Sequence, residues 1–199
     1  MSDSRSQTTQ TTYIHAPSAQ QTTFAAEPEV LLDRYRVLAR RGNGGFGTVC
    51  TCWDTRLQRR VAIKRMPLLG ASETPGVLAS TVDEALSEAR TACLLAHPNI
   101  VTVHDFEIEG NYAYLVMEFV DGLNLSELLA RVEGGYLNYA EAAHMVSSLA
   151  KALQYAHDNG VLHLDIKPTN IMIDRQGTVK LADFGMATLA SAAGYGGAR

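Results

Sequence analysis

From Tyr35 onward the chain runs in short stretches that mix apolar and polar positions. Tyr35 to Leu38 reads as a strand, a glycine cluster follows, and Thr48 to Trp53 and Arg60 to Arg65 read as two more. Strand, glycine turn, strand, strand is the order of an antiparallel sheet. Residues 67 to 80 hold Pro67, Gly70, Pro75 and Gly76 and read as a loop. From Thr81 to Leu95 the period lengthens, with Val82, Ala85, Ala89, Ala92 and Leu95 on one side of a helix. Pro98 bars its continuation. Ile100 to Phe106 and Tyr112 to Phe119 are further strand candidates around a turn at Glu109-Gly110-Asn111. Beyond them helical spacing takes over: a short helix over Leu125 to Val132, then a long one over Tyr139 to Asp158 closed by Asn159-Gly160. Two apolar runs, Asn170 to Ile173 and Val179 to Leu181, flank a tight turn over Asp174 to Gly177. The expected fold class is α+β: a five-stranded antiparallel sheet with one helix, then a helical region entered by a short connection.

Composition narrows the picture. Residues 1–28 are rich in Ser, Thr, Gln and Ala and read as a disordered polar tail, too poor in apolar side chains to offset the cost of ordering. Over all 199 residues the hydrophobic share is 46%, enough for a real core. Lys and Arg number 17 against 21 Asp and Glu, a net charge of -4 with no basic block, which argues against nucleic acid as a partner. Cys50, Cys52 and Cys93 fit neither a zinc knuckle nor a redox pair and read as small hydrophobes in a reducing compartment. No apolar run approaches the roughly 20 residues that span a bilayer. The first residues lack the basic end and apolar stretch of a signal peptide. The expected location is cytoplasmic, which leaves room for a membrane anchor in a longer parent chain.

Four segments carry chemistry. In Gly42-Asn43-Gly44-Gly45-Phe46-Gly47-Thr48-Val49 the glycines allow a sharp turn and bring backbone N–H groups toward a phosphate. A dinucleotide fold needs a helix directly afterward, and Thr-Val-Cys-Thr-Cys-Trp favours a strand instead. A P-loop needs Gly-Lys-Ser/Thr, which is absent; a hairpin over a nucleotide fits, and so does a glycine hairpin with no ligand. In Val61-Ala62-Ile63-Lys64 a lysine lies amid apolar strand positions, where a bare ammonium is costly. It either meets a partner such as Glu88 in the following helix or snorkels to solvent. The stretch His163-Leu164-Asp165-Ile166-Lys167-Pro168-Thr169-Asn170 gathers a carboxylate to accept a hydroxyl proton, a cation for a phosphoryl group in transfer, and an amide to help hold a divalent ion. Asp183-Phe184-Gly185 sets an acid just past an apolar run, suited to Mg²⁺.

These motifs, in this order, resemble the eukaryotic-type protein kinases, in particular the serine/threonine kinases found in bacteria. The resemblance runs from about Tyr35 to Gly185. It implies a kinase-like fold, with a sheet lobe over 31–118, a hinge over 119–122, and over 123–199 part of a helical lobe with the catalytic loop and the start of the activation segment. It implies that Gly42, Asn43, Gly44, Gly45, Phe46 and Gly47 cover the ATP phosphates and that Lys64 contacts them with Glu88 as its partner. Met117 matches the gatekeeper, and Glu118, Phe119 and Val120 the hinge that bonds adenine through its backbone. Val49, Ala62 and Met172 would sandwich adenine, while Ala92, Val103, His163 and Phe184 would stack between the lobes, making His163 a packed structural residue. Asp165 matches the catalytic base, Lys167 its companion, and Asn170 and Asp183 the ligands of Mg²⁺, with Mn²⁺ as an alternative. Lys167, two residues after the base, resembles the serine/threonine class. The implied function is transfer of the γ-phosphoryl group of MgATP to Ser or Thr of protein substrates. Competing readings are an ATP-binding interaction module without phosphotransfer and small-molecule phosphotransfer; the lysine after the base argues against the latter.

Two departures stand out. Leu164 occupies the position where most members carry an arginine that pairs with a phosphorylated activation-loop residue. Activation-loop phosphorylation is therefore not expected to be the main switch, and a large rate gain on phosphorylating Thr188 or Ser191 would contradict this. After Gly185 only fourteen residues follow, without an Ala-Pro-Glu-like motif or the family's later helices. The sequence is expected to be a fragment of a longer kinase.

Overall fold

A computed structural model describes residues 29–44, 47–68, 81–184 and 188–189, with the backbone alone for 42–44 and 188–189. The expected tail over 1–28, Gly45 and Phe46, most of the loop expected over 67–80, Gly185 and the last ten residues lie outside the described residues.

Six strands form the first sheet: β1 Val30–Leu31, β2 Tyr35–Gly44, β3 Gly47–Asp54, β4 Arg59–Pro67, β5 Val103–Glu109 and β6 Tyr112–Glu118. Their order is β1-β2-β3-β4-β6-β5, and every pairing is antiparallel. Five of them are the strands expected; β1 is a two-residue edge pairing Val30 with Arg36 and Leu31 with Tyr35. Alternation gives the sheet two apolar faces. Cys50, Cys52, Val61, Ile63, Tyr114 and Val116 pack with Leu31 and Tyr35 on one side. On the other, Met66, Ala113 and Leu115 pack with Ala85 and Ala89 of helix α1, Val82–Cys93. A capping box between Thr81 and Glu84 starts that helix by satisfying backbone N–H groups that have no partner within it.

The turn between β3 and β4 rests on a buried carboxylate. Asp54 is fully buried and accepts Nε and Nη2 of Arg34 at 2.9 and 2.7 Å and the N–H groups of Arg56 and Leu57. The Arg34 guanidinium leads the causes that hold its carboxyl below the usual carboxylate range, against the opposing effect of burial.

Beyond β6 the chain enters β7 Gly122–Asn124, α2 Leu125–Leu129, α3 Tyr139–Asp158, β8 Val161–Leu162, β9 Ile171–Asp174, β10 Val179–Leu181 and β11 Thr188–Leu189. β10, β9 and β7 form one small sheet, β11 and β8 another. The long helix keeps its expected bounds: an Asn138–Glu141 capping box opens it, and Gly160, at φ 72°, follows its end. Its buried stripe of Met145, Ser148, Ala152 and Ala156 meets Val161, Ile171, Val179 and Leu181. The strand expected from Ile100 begins only at Val103. The preceding backbone is already bonded to the second region: Leu181 N–H donates to Asn99 O at 2.8 Å and Val101 N–H to Leu181 O at 2.9 Å. This linker ties the sheet to β10 and sets the cleft between the two regions.

Candidate active site

The cleft gathers residues from distant parts of the chain. Val49 and Ala62 line it from the sheet, Met117, Glu118, Phe119 and Val120 from the end of β6, and Asn170, Met172 and Asp183 from the second region, with Lys64 and Glu88 at its inner end. Gly47 is the close approach that lets β3 turn into this wall. At φ 136°, a Cβ there would sit 2.3 Å from the Arg65 carbonyl oxygen, so only glycine fits. Gly42, Asn43 and Gly44 continue β2 toward the turn.

The segment leaving β6 turns its backbone and its side chains to different uses. The Glu118 carboxylate is engaged by the protein itself, accepting Thr102 N–H at 3.1 Å and Lys180 Nζ at 2.8 Å. The Phe119 ring lies 4.5 Å under the Arg60 guanidinium. Val120, nearly buried, accepts Gly122 N–H, while its own N–H has no acceptor among the described residues. A backbone donor left without a protein partner is available to an acceptor such as a ring nitrogen of a ligand.

Lys64 is 5% exposed. Its Nζ donates to Glu88 Oε1 and to Asp183 Oδ1, each at 2.8 Å. Burial lowers the pKa of the ammonium, but the charges of Asp183 and Glu88 outweigh it and leave it raised. The lysine therefore stays a cation, held between α1 and the segment after β10.

The catalytic-loop candidates form a second constellation. Asp165 Oδ2 accepts Lys167 Nζ at 2.7 Å and Asn170 Nδ2 at 3.1 Å, and Asn170 Nδ2 also donates to the Asp165 carbonyl at 2.9 Å. The Lys167 hydrogen bond is the largest cause that lowers the Asp165 pKa, so the group stays a carboxylate, and its Oδ1 has no partner among the described residues. His163 supports this loop from below. It is 2% exposed, its ring lies 4.5 Å from that of Phe184, Nε2 donates to Ala182 O, and Nδ1 accepts Asp165 N–H. Those two bonds require the neutral tautomer with hydrogen on Nε2, and burial lowers its pKa accordingly.

Leu164 and Asp183 adopt φ of 62° and 63°, a region costly for side-chain-bearing residues. The Leu164 side chain is 61% exposed. The sequence offers no signal for either conformation. It also gives no sign that Arg41 and Thr51 line the cleft. Cys50 and Cys52 lie away from the cleft in the outer core, and burial pushes the Cys52 thiol up to about 12.

Residues 35–195 match the protein kinase domain family. The serine/threonine-protein kinase PknA of Mycobacterium tuberculosis is 40% identical over 168 residues, covering 82% of this chain and 37% of the relative. PrkC of Bacillus subtilis is 37% identical over 158 residues, 79% of this chain and 23% of the relative. The probable serine/threonine-protein kinase PknB of Corynebacterium glutamicum is 38% identical over 162 residues, 79% of this chain and 24% of the relative. The chain thus spans well under half the length of these relatives. With the two-region α+β fold and the cleft between sheet and helices, the match over most of its length makes this chain a member of the eukaryotic-type protein kinase family, similar to the serine/threonine kinases of bacteria.

Proposed function

We propose that the protein transfers the γ-phosphoryl group of MgATP to Ser or Thr hydroxyls of protein substrates. The observation that supports this most is that Lys64, Glu88 and Asp183 line a cleft with an apolar wall together with Asn170, whose amide is bonded to the Asp165 carboxylate that also holds Lys167. Adenine fits between Val49 and Ala62 on one side and Met172 on the other, with the Val120 N–H as a donor to the ring. Lys64, already cationic, holds negative oxygens of the phosphates. Asp165 orients the substrate hydroxyl and takes its proton on Oδ1 as the oxygen bonds to the γ-phosphorus and ADP departs. Lys167 keeps Asp165 ionised and adds positive charge beside the group in transfer.

The residues present also fit a divalent ion. Asn170 is buried, and its Nδ2 is committed to Asp165, which leaves Oδ1 without a partner among the described residues. Asp183 gives Oδ1 to Lys64, and its Oδ2 has no partner among the described residues. One amide oxygen and one carboxylate oxygen are hard ligands that suit Mg²⁺ or Mn²⁺, an ion that takes its remaining ligands from water and phosphate. Such an ion, when bound, neutralises phosphate charge. Among the described residues no helix is long and apolar enough to cross a membrane. The proposal places the reaction in the cytoplasm, where ATP is abundant.

The test is label transfer from γ-labelled ATP with Mg²⁺ to a generic basic protein, followed by phosphoamino-acid analysis. Phosphoserine or phosphothreonine is the expected product. Nucleotide binding by the folded chain without any transfer would support the binding-module reading instead, and phosphotyrosine alone would contradict the residue class.

A further inference from the structure

The two regions are joined by contacts of different kinds. On the linker side backbone hydrogen bonds tie Asn99 and Val101 to Leu181. Within the cleft Lys64 reaches Asp183, and at the end of β6 Lys180 reaches Glu118. The hinge is held differently. The β4–β6 ladder ends where Val61 faces Glu118, and the β7–β9 ladder starts where Gly122 faces Asp174. Phe119, Val120 and Asp121 lie between the two ladders and belong to neither. A few residues at the ends of elements, without ladder bonds, are where a hinge absorbs its change in backbone angles.

Side chains span this gap. Asp121 is fixed to the second region through its backbone, since Arg175 N–H donates to its carbonyl oxygen at 3.1 Å, and Arg175 Nε lies 3.4 Å from Oδ1. From the sheet, Arg60 donates through Nη2 to Asp121 Oδ2 at 3.1 Å and sets its guanidinium 4.5 Å from the centre of the Phe119 ring. One guanidinium thus grips the first and last residues of the gap, and one carboxylate takes a cation from each region. We infer that Asp121 is a positioning residue: with Arg60 and Arg175 it forms an ionic clamp across the hinge that limits opening of the cleft and slows release of nucleotide. All three side chains are at least 39% exposed, which sets the size of the effect. Exposed pairs are weak and screened by salt, so the clamp biases opening by a few-fold and responds to ionic strength. The effect on release rests on the nucleotide reading above; the effect on opening does not.

The experiment makes two measurements on the 199-residue chain and its D121N, R60M and R60M/D121N variants. The first is the dissociation rate of a fluorescent ATP analogue by stopped flow, at low salt and at about 0.5 M salt, where exposed pairs are largely screened. The second, without nucleotide, is the distance distribution between spin labels on the exposed positions 56 and 151, one in each region, introduced as R56C and K151C with the exposed Cys93 replaced by C93A. At low salt D121N is expected to release the analogue about three-fold faster than wild type, the scale of an exposed ion pair. R60M should match or slightly exceed it, and the double variant should add little to R60M, because both changes remove one contact. High salt should bring wild type to the D121N rate, and D121N should broaden the distance distribution. Additive effects in the double variant, or a faster D121N rate that keeps its margin over wild type at high salt with an unchanged distribution, would overturn the clamp. So would a D121N protein that matches wild type in both measurements. A folded wild-type chain that binds no analogue would overturn the nucleotide reading; the distance distributions would then decide the clamp alone, broadening in D121N supporting it and identity with wild type overturning it.

Discussion

Lys64 and Lys167 each donate to a carboxylate at nearly the same distance, 2.8 and 2.7 Å, yet they work in different surroundings. The Lys64 side chain is 6% exposed and reaches two acids from two parts of the chain; that of Lys167 is 47% exposed and reaches one acid two residues away. A buried charge without a partner costs several kcal/mol, whereas an exposed pair is worth about 0–1 kcal/mol. The inner cluster therefore has to be structural, whatever part it takes in the proposed reaction. It joins α1 to the segment after β10, and the position of each member depends on the others. The exposed Lys167–Asp165 pair carries no such structural burden, because the position of the loop comes from buried neighbours: His163, which accepts Asp165 N–H, and the Asn170 amide bonded to the Asp165 carbonyl.

The largest expected effect follows from breaking the inner cluster. Lys64→Met leaves the Glu88 and Asp183 carboxylates close together with no cation between them. Removing one partner of a buried pair costs about 3–5 kcal/mol; with Asp183 a third exposed, a loss of about 2–3 kcal/mol is expected, together with loss of measurable ATP binding. Chemical denaturation and calorimetry on the same variant check both. An unchanged stability would mean that the cluster is not structural.

Next comes a control for burial without chemistry. Asp54→Asn removes the charge that holds Arg34, far from the cleft, and should cost about 2 kcal/mol with ATP affinity kept. The Asp54 pKa is lowered on folding. Its pair therefore stabilises the protein fully above the usual carboxylate range, and that contribution is lost as pH falls through the range toward the lowered folded value. The variant should accordingly lose less stability than the wild type between about pH 5 and pH 3. Equal acid sensitivity of the two proteins in a denaturation series would rule out Asp54 as its source.

The smallest effect on stability belongs to the exposed pair. Lys167→Met should change stability by no more than about 0.5 kcal/mol. The Asp165 pKa should nevertheless rise toward the ordinary carboxylate value, because the hydrogen bond that does most to lower it is gone. An NMR titration of the Asp165 carboxyl reads this directly. A pKa that stays low would show that Asn170, not Lys167, keeps the group ionised.

Much of this contrast is legible in the sequence, and the missing parts have physical causes. Lys64 shows itself because a lysine directly after the apolar Val61-Ala62-Ile63 needs a reason, and the long helix because Asn138, Glu141 and Gly160 mark both ends. The strands β1, β7, β8 and β11 have two or three residues each, too few to establish a period. Their place comes from partners elsewhere, as when Gly122 packs so close to Ile173 that an added Cβ would lie 1.9 Å from its carbonyl oxygen. Arg41 escapes notice because register shifts after Val37 and Arg41 break the alternation that would tell which face it takes. The turn of the Glu118 carboxylate toward Lys180, and the left-handed backbone at Leu164 and Asp183, are set by tertiary contacts that no local pattern encodes.

Comparing the wild-type chain with Asp165→Asn tests phosphoryl transfer by this site. The phosphoryl-transfer rate with MgATP and a basic protein substrate is measured beside the Kd for ATP. Transfer to Ser or Thr is expected to fall by at least about 10²-fold, as for loss of a general base, while the Kd for ATP changes little, because in the proposed reaction Asp165 acts on the hydroxyl and Lys64 and the cleft walls hold the nucleotide. Transfer at the wild-type rate in Asp165→Asn, or a comparable loss of ATP binding, would contradict the proposed reaction.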